Sequence, residues 1–318
     1  MYAYPPVTAD FGGARVVAVE GTGPLGRAMW LRRQMRADAP DIVSQHYVAT
    51  DALALSMFRR PLVLSVWGSD VLRDLARWPK RLLVARALRA AALVVSPAEH
   101  LTERLTGLGV KRDRVLTRQY GVDTTEYAPA DDVTRPAPAT AVCTRSMRPI
   151  YGNEDILRAL PRVPIEAVGI VKFLGGGPLI GSLKDMAEQL GLGGRAEFVG
   201  GVEHKLLPHV LREADIYCSM SRSDGASLSL LEAMSCGLPS VVSDIPANRE
   251  WIDEGRTGFL VPCGDVEHLA ARLEHLARDP ELRASMGAAA RETVLARGDR
   301  RVNVPAIIDA VEKVARRA

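Results

Sequence analysis

The residues from 216 to 243, IYCSMSRSDGASLSLLEAMSCGLPSVVS, have the types and spacing to hold an anion beside a set of hydroxyl groups. Ile216 to Met220 is an apolar run that ends in a Ser/Asp/Gly cluster. Ser227 suits a helix N-cap, Leu228, Leu231 and Met234 recur at helical spacing, and Gly237 followed by Pro239 stops the helix. Ser240 to Ser243 then reads as a buried strand. In an open parallel sheet, ligands collect beyond the carboxyl ends of the strands, where a helix N-terminus offers free N–H groups and a positive dipole to an anion. Gly225 and Ala226 are expected to leave the backbone uncovered for that approach, with the amides of Ser227 and Leu228 at the helix start. Asp224 stands at the lip and Glu232 eight positions on, so both carboxylates can turn toward one pocket. Carboxylates repel phosphate but accept well from sugar hydroxyls, a combination that suits a sugar nucleotide.

Short apolar strands alternating with helical stretches position these groups, the pattern of parallel α/β layers. Strands are predicted at 16–19, 42–46, 62–66, 92–95 and 114–117, then at 141–144, 166–174, 196–199, 215–220, 240–243 and 258–261. Between the two sets lies APADDVTRPAPAT, residues 128–140, with three prolines and no periodicity, the best interdomain linker. Two doubly wound domains facing a cleft follow, with a helix from Val304 to Arg317 at the end.

The 216–243 segment resembles the donor site of retaining GT-B glycosyltransferases of family 4, in which two glutamates eight apart hold the donor sugar and the nucleotide ribose. Further family-like stretches follow in order: APDIVSQHY (39–47), PLVLSVWGSDVL (61–72), VVSPAEHLTERLTGLGV (94–110), YGVDTTEYAP (120–129), FLGGGPL (173–179), FVGGVEH (198–204) and TGFLVPCGD (257–265). The resemblance implies a GT-B fold, an acceptor-side domain at 1–135, a nucleotide-sugar domain at 136–300, and a helix at 301–318 returning to the first. It puts Asp224 at the sugar and Glu232 at the ribose, and matches Arg145 to the family's phosphate-binding arginine. The lysine expected five or six positions beyond is replaced by Ile150 or Tyr151, leaving Arg148 as the nearest cation. In the implied mechanism the acceptor hydroxyl attacks from the face the nucleotide leaves, the phosphate takes the proton, and no acid/base pair of carboxylates is needed. The chain has no Asp-x-Asp, so no metal is expected and the leaving diphosphate falls to a helix N-terminus and arginine. The resemblance implies a UDP- or GDP-linked donor sugar and a carbohydrate or lipid-linked acceptor. The segment resembling the family's third strand appears by residue 20, so the N-terminal domain is expected to be incomplete, with an exposed sheet edge.

On the acceptor side, Trp67, Ser69 and Asp70 follow the strand at 62–66, and His46 ends the one before. Asp70 reads equally as a helix cap, and His46 as a structural residue. Two other functions compete. Gly21, Gly23 and Gly26 in VVAVEGTGPLGR spell a dinucleotide-binding fingerprint, yet Asp41 and Asp51 miss the end of the next strand where that fold needs an acid. A non-catalytic sugar-nucleotide binder is the other alternative, suggested by Asp224 and the missing lysine.

At 318 residues, 47% hydrophobic and with mean hydropathy near zero, the chain fits two ordinary globular domains. Cys143, Cys218, Cys236 and Cys263 form neither a CxxC pair nor a metal cluster, and no run approaches the roughly 18 apolar residues of a membrane span. A cytoplasmic location is expected. The net charge of +3 hides a basic segment: residues 27–89 carry 12 Lys/Arg against 5 Asp/Glu, a balance of +7. Within it, LGRAMWLRRQMR (25–36) and DLARWPKRLLVARALR (74–89) mix Trp30, Met35, Trp78 and Leu83 with arginines. Such helices either pack on a sheet with a solvated basic outside or rest peripherally on an anionic membrane at its inner face. Nucleic acid is not an expected partner, for no recognisable module is present.

Overall fold

The computed structural model describes residues 23–49, 51–57, 60–72, 78–130 and 138–317. The predicted strand at 16–19, Gly21 of the glycine fingerprint and most of the linker lie outside them, while Gly23 opens a helix. The first part of the chain runs α1 (Gly23–Asp38), β1 (Val43–His46), α2 (Asp51–Leu55), β2 (Leu62–Ser65), α3 (Ser69–Leu72), α4 (Trp78–Ala90), β3 (Leu93–Ser96), α5 (Glu99–Gly107) and β4 (Val115–Thr117). The second begins with β5 (Ala139–Cys143), α6 (Asn153–Ala159), β6 (Val168–Leu174), α7 (Ile180–Gln189), β7 (Ala196–Gly200) and α8 (Leu207–Arg212). It continues with β8 (Ile216–Ser219), α9 (Leu228–Ser235), β9 (Ser240–Ser243), α10 (Pro246–Arg249), β10 (Gly258–Val261), α11 (Val266–Arg278), α12 (Pro280–Arg297) and α13 (Arg300–Arg316).

Each predicted strand within the described residues is present, to within a residue or two at its ends. Among the described residues the strands make two parallel sheets, β1-β2-β3-β4 and β10-β9-β8-β5-β6-β7, with β1 at an end of the first. In the second sheet the chain winds outward from β5 through β6 to β7, then returns to β8 on the other side of β5. That reversal opens a crevice between the carboxyl ends of β5 and β8, where a doubly wound sheet binds its ligand. Its two faces carry separate cores, one with Ile156, Leu183 and Leu273 from α6, α7 and α11, the other with Leu211, Leu231 and Val294 from α8, α9 and α12.

The two halves are joined at the segment after β4. Val122 exchanges backbone hydrogen bonds with Gly298 and Arg300, and Asp299 accepts from Thr124. Helix α13 then lays Ile307 on Val63, Leu93 and Val95 of the first sheet. It starts four residues earlier than expected because the Asp299 carboxylate caps it, accepting from Arg301 N–H at 2.8 Å, and Pro305 is carried inside. Glu250, just past α10, reaches across to the first half. Its carboxylate accepts from the N–H groups of Glu99 and His100 at the start of α5 (3.0 Å each) and contacts His100 Nδ1 at 2.7 Å. Ala98, the residue at that helix end, has no side chain to do this.

Candidate active site

Arg145 follows β5 and Asp224 follows β8, so the crevice brings together two residues that are 79 positions apart in the chain. Arg145 Nη2 lies 2.7 Å from Asp224 Oδ2, with both side chains largely buried. Arg145 Nη1 also donates to Ser229 Oγ at 2.9 Å and Ser227 Oγ at 3.3 Å. Burial works against its charge, but the Asp224 carboxylate together with the neighbouring Tyr217, Tyr151 and Cys143 outweighs that and leaves the arginine pKa above its ordinary value. Ser227 is the expected N-cap of α9, its Oγ accepting from Leu230 N–H at 3.3 Å, and Leu228 is the first helical residue. The helix has eight residues. Asp224 Oδ1 takes the Gly225 N–H at 2.8 Å, so this carboxylate is fully engaged with its own loop and Arg145.

Glu232 is not turned to solvent. Burial raises its pKa, opposed by His204 and by a hydrogen bond from Tyr127. The Tyr127 hydroxyl is also 3.1 Å from His204 Nδ1, and the Tyr127 carbonyl accepts from Ser235 Oγ at 2.6 Å. Sequence reasoning missed Tyr127 and His204. They sit in the family-like stretches 120–129 and 198–204, but nothing in either stretch says that the two meet at Glu232.

Several expectations are corrected. Gly225 was expected to be uncovered, yet a Cβ there would stand 2.2 Å from the Trp67 carbonyl oxygen and 2.5 Å from Gly68 Cα. The loop after β2 therefore closes over the loop after β8, and only glycine at 68 (φ +114°) and 225 permits the approach. Ala226 is half-buried beside it. Arg148 does not join the cluster: it is exposed and makes no side-chain hydrogen bond or ion pair among the described residues. Tyr151 occupies the place instead, its ring 4.1 Å under the Arg145 guanidinium, a cation–π contact. Asp70 is neither an acceptor-side carboxylate nor an N-cap. Wholly buried, it accepts from the N–H groups of Val48 (2.9 Å), Trp67 (3.1 Å) and Gly68 (2.9 Å), and so shapes the loop that meets Gly225. Burial still raises its pKa above the usual value.

The remaining residues expected on the acceptor side do gather. Trp67 stacks on Tyr120 at 4.9 Å and 3°, and the His46 ring lies 5.9 Å from Trp67 and 6.0 Å from Tyr120. Burial pushes the His46 pKa down. Ser69 Oγ is 3.1 Å from the hydroxyl of Tyr47, whose backbone is left-handed (φ 65°).

The model of the family described as glycosyl transferases group 1 matches residues 133–293, and that of glycosyltransferase family 4 matches residues 15–126. The chain belongs to the glycosyl transferases group 1 family. It is 33% identical, over 55% of its length and 50% of the relative's, to a GDP-mannose-dependent alpha-(1-6)-phosphatidylinositol monomannoside mannosyltransferase of Mycolicibacterium smegmatis. To the phosphatidyl-myo-inositol mannosyltransferase of the same organism it is 28% identical over 81% of this chain and 61% of that one. The chain thus spans about half the length of the first curated relatives it matches. Among solved structures, Anabaena Alr3699/HepE in complex with UDP superposes with a TM-score of 0.80 at 18% identity, covering 92% of this chain and 83% of that one. Sucrose-phosphate synthase from Thermosynechococcus elongatus gives 0.80 at 17% identity, with 92% and 78% covered. The two-sheet architecture is that of the GT-B fold.

Proposed function

We propose that this glycosyltransferase moves a sugar from a UDP- or GDP-linked donor to an acceptor hydroxyl with retention and without a metal, the acceptor being a carbohydrate or a lipid-linked sugar. The observation that carries the reading is the meeting of Arg145 and Asp224 at the strand-order reversal, beside the capped start of α9. A diphosphate arriving there competes with Asp224 for the guanidinium, since it offers charged oxygens in a bidentate arrangement. Displaced from Arg145, Asp224 becomes an acceptor for sugar hydroxyls. Arg145 and the α9 N–H groups then face the charge that grows on the leaving phosphate. Glu232, held from the rear by Tyr127 and His204, takes the ribose hydroxyls. Trp67, His46 and Ser69 line the acceptor side. The named lipid-modifying relatives support a lipid-linked acceptor presented at the cytosolic face of a membrane. With this reading goes the division into residues 1–135, 136–300 and the returning helix 301–318.

Calorimetry with UDP, GDP and NAD tests the class. Binding of one nucleoside diphosphate, weakened by Arg145→Ala and Glu232→Gln, is the expected result, and NAD binding alone would overturn it. Product anomeric configuration by NMR then tests retention, and turnover in excess chelator tests metal independence. The Arg145–Asp224 pair would equally suit a chain that holds a sugar nucleotide without using it, the conclusion to draw if binding occurs but no acceptor is glycosylated.

A further inference from the structure

Tyr217, on β8, is wholly buried, and its hydroxyl donates to Ser229 Oγ at 3.0 Å. Burial pushes its pKa up, so the phenol keeps the hydrogen with which it donates. Arg145 Nη1 donates to the same Ser229 Oγ at 2.9 Å. A serine hydroxyl has two lone pairs and one hydrogen. With both lone pairs taken, Ser229 can only give its hydrogen away, and Ser227 Oγ stands 3.2 Å off to receive it.

Ser227 Oγ is therefore surrounded by donors. Leu230 N–H and Arg145 Nη1 approach it at 3.3 Å each, and Ser229 joins them. Its own hydrogen cannot go back to Ser229, because Tyr217 and Arg145 fill that oxygen. Among the described residues no acceptor is left for it. The side chain is only 4% exposed, and a buried hydroxyl hydrogen with nothing to bond is costly. The guanidinium that reaches Ser227 through Nη1 holds Asp224 through Nη2, so the surplus donor borders the place where an anion would displace that carboxylate.

We propose that the Ser227 hydroxyl donates to a phosphate oxygen of the donor's diphosphate, and that Tyr217 and Ser229 are positioning residues that keep its hydrogen turned outward. The proposal rests on reading the crevice as a diphosphate site, and adds to the helix amides a side-chain donor of fixed direction. A diphosphate presents more charged oxygens than one guanidinium edge can meet, and Tyr151, under that guanidinium, brings no second positive charge. The oxygen of Ser227 still caps α9 while its hydrogen serves the ligand, so a single group takes both roles. A row of hydroxyls running one way, from Tyr217 through Ser229 to Ser227, also polarises its last member and strengthens its bond to an anion.

Calorimetry on the whole chain with UDP and GDP, and with uridine and guanosine, tests this. Ser227→Gly, which a helix start tolerates well, should weaken diphosphate binding roughly ten- to a hundredfold and leave nucleoside binding unchanged. Ser227→Asp caps as well as serine but has no hydrogen to give, and should bind the diphosphate at least as weakly. A loss shared by both variants cannot come from a frayed helix. Ser227→Thr should stay within about threefold of wild type. Tyr217 touches no ligand, yet Tyr217→Phe frees a lone pair on Ser229 that draws the Ser227 hydrogen inward, and should weaken diphosphate binding about three- to tenfold. Combined with Ser227→Gly it should add nothing, whereas a tyrosine that merely packs would add its own loss. Diphosphate binding by Ser227→Gly or Ser227→Asp as tight as wild type, an equal loss for the bare nucleosides, or additive losses in the double variant would each overturn the proposal. A wild type that binds neither UDP nor GDP would instead defeat the diphosphate reading of the crevice, and this proposal with it.

Discussion

Gly225→Ala tests whether the two sheets must meet at the cleft mouth for sugar transfer. The new Cβ would stand 2.2 Å from the Trp67 carbonyl oxygen and 2.5 Å from Gly68 Cα. Non-bonded atoms settle at about 3.5 Å, so the two loops must part by roughly 1.3 Å. Both obstructing groups are backbone, and neither loop yields easily. Asp70 ties down the N–H groups of Trp67 and Gly68, while Asp224 holds Gly225 N–H and pairs with Arg145. A misplacement of about 1 Å between reacting groups costs on the order of 10²-fold in rate, so turnover should fall about a hundredfold. Nucleoside diphosphate affinity, assigned in the proposal to Arg145 and Glu232 of the second half, should change by no more than about threefold. Initial transfer rates and calorimetry on the same preparation separate the two quantities. Gly68→Ala meets Gly225 Cα at 2.3 Å and should act alike. The double variant should be little worse than either single, because the loops will already have separated. Wild-type turnover in Gly225→Ala would refute the reasoning and make the close approach incidental.

Four more outcomes follow from the geometry. Glu250→Ala removes the cap of α5 and should cost about 1 kcal/mol in thermal unfolding. Burial opposes the Glu250 charge, but His100 and two N–H groups prevail and lower its pKa. Its stabilisation is therefore present above the unfolded carboxylate pKa and lost as pH falls through the lower folded value, so variant and wild type should converge in acid. Glu232 has the opposite sign: burial raises its pKa, the folded chain holds the proton more tightly, and stability declines as pH rises from the ordinary carboxylate value through the raised one. Glu232→Gln should abolish that decline in melting curves while weakening nucleoside diphosphate binding on the order of tenfold. Tyr127→Phe, which withdraws the donor behind Glu232, should weaken the same binding about three- to tenfold and shrink the preference for ribose over deoxyribose nucleotides. Asp70→Asn keeps one oxygen, which can hold only two of the three N–H groups, leaves the third facing an amide NH2, and should cost about 2 kcal/mol by denaturant titration.

The parts legible in the sequence were those in which local pattern and tertiary need agree. Val-rich runs such as 62–65 and 240–243 are buried on both faces of a parallel sheet, which demands continuous apolar residues, so they announce themselves. Ser227 followed by Leu228, Leu231 and Met234 satisfies a cap and a core face at once, and the helix starts where those signals place it. Strand ends also gave the right places for Arg145 and Asp224, but not their partnership. That depends on the chain reversing beside β5, which two-dimensional strand order decides and no window of sequence contains.

What stayed hidden is what passes between the halves. Trp67–Gly68 and Gly225 are over 150 residues apart, and each glycine alone reads as a turn residue. Their shared meaning is a missing pair of Cβ atoms, visible only when the backbones face one another. Asp70 misled for a related reason, because an aspartate before an apolar helix looks like a cap whether it binds the N–H groups ahead of that helix or those behind. The same holds for Tyr127, whose position among family-like residues suggests packing, while its hydroxyl makes it the link between Glu232 and His204. In this chain each half carries a readable signature. The contacts that join them into one site use residues chosen for what they lack, a side chain at 68 and 225, or for a single oxygen at 127.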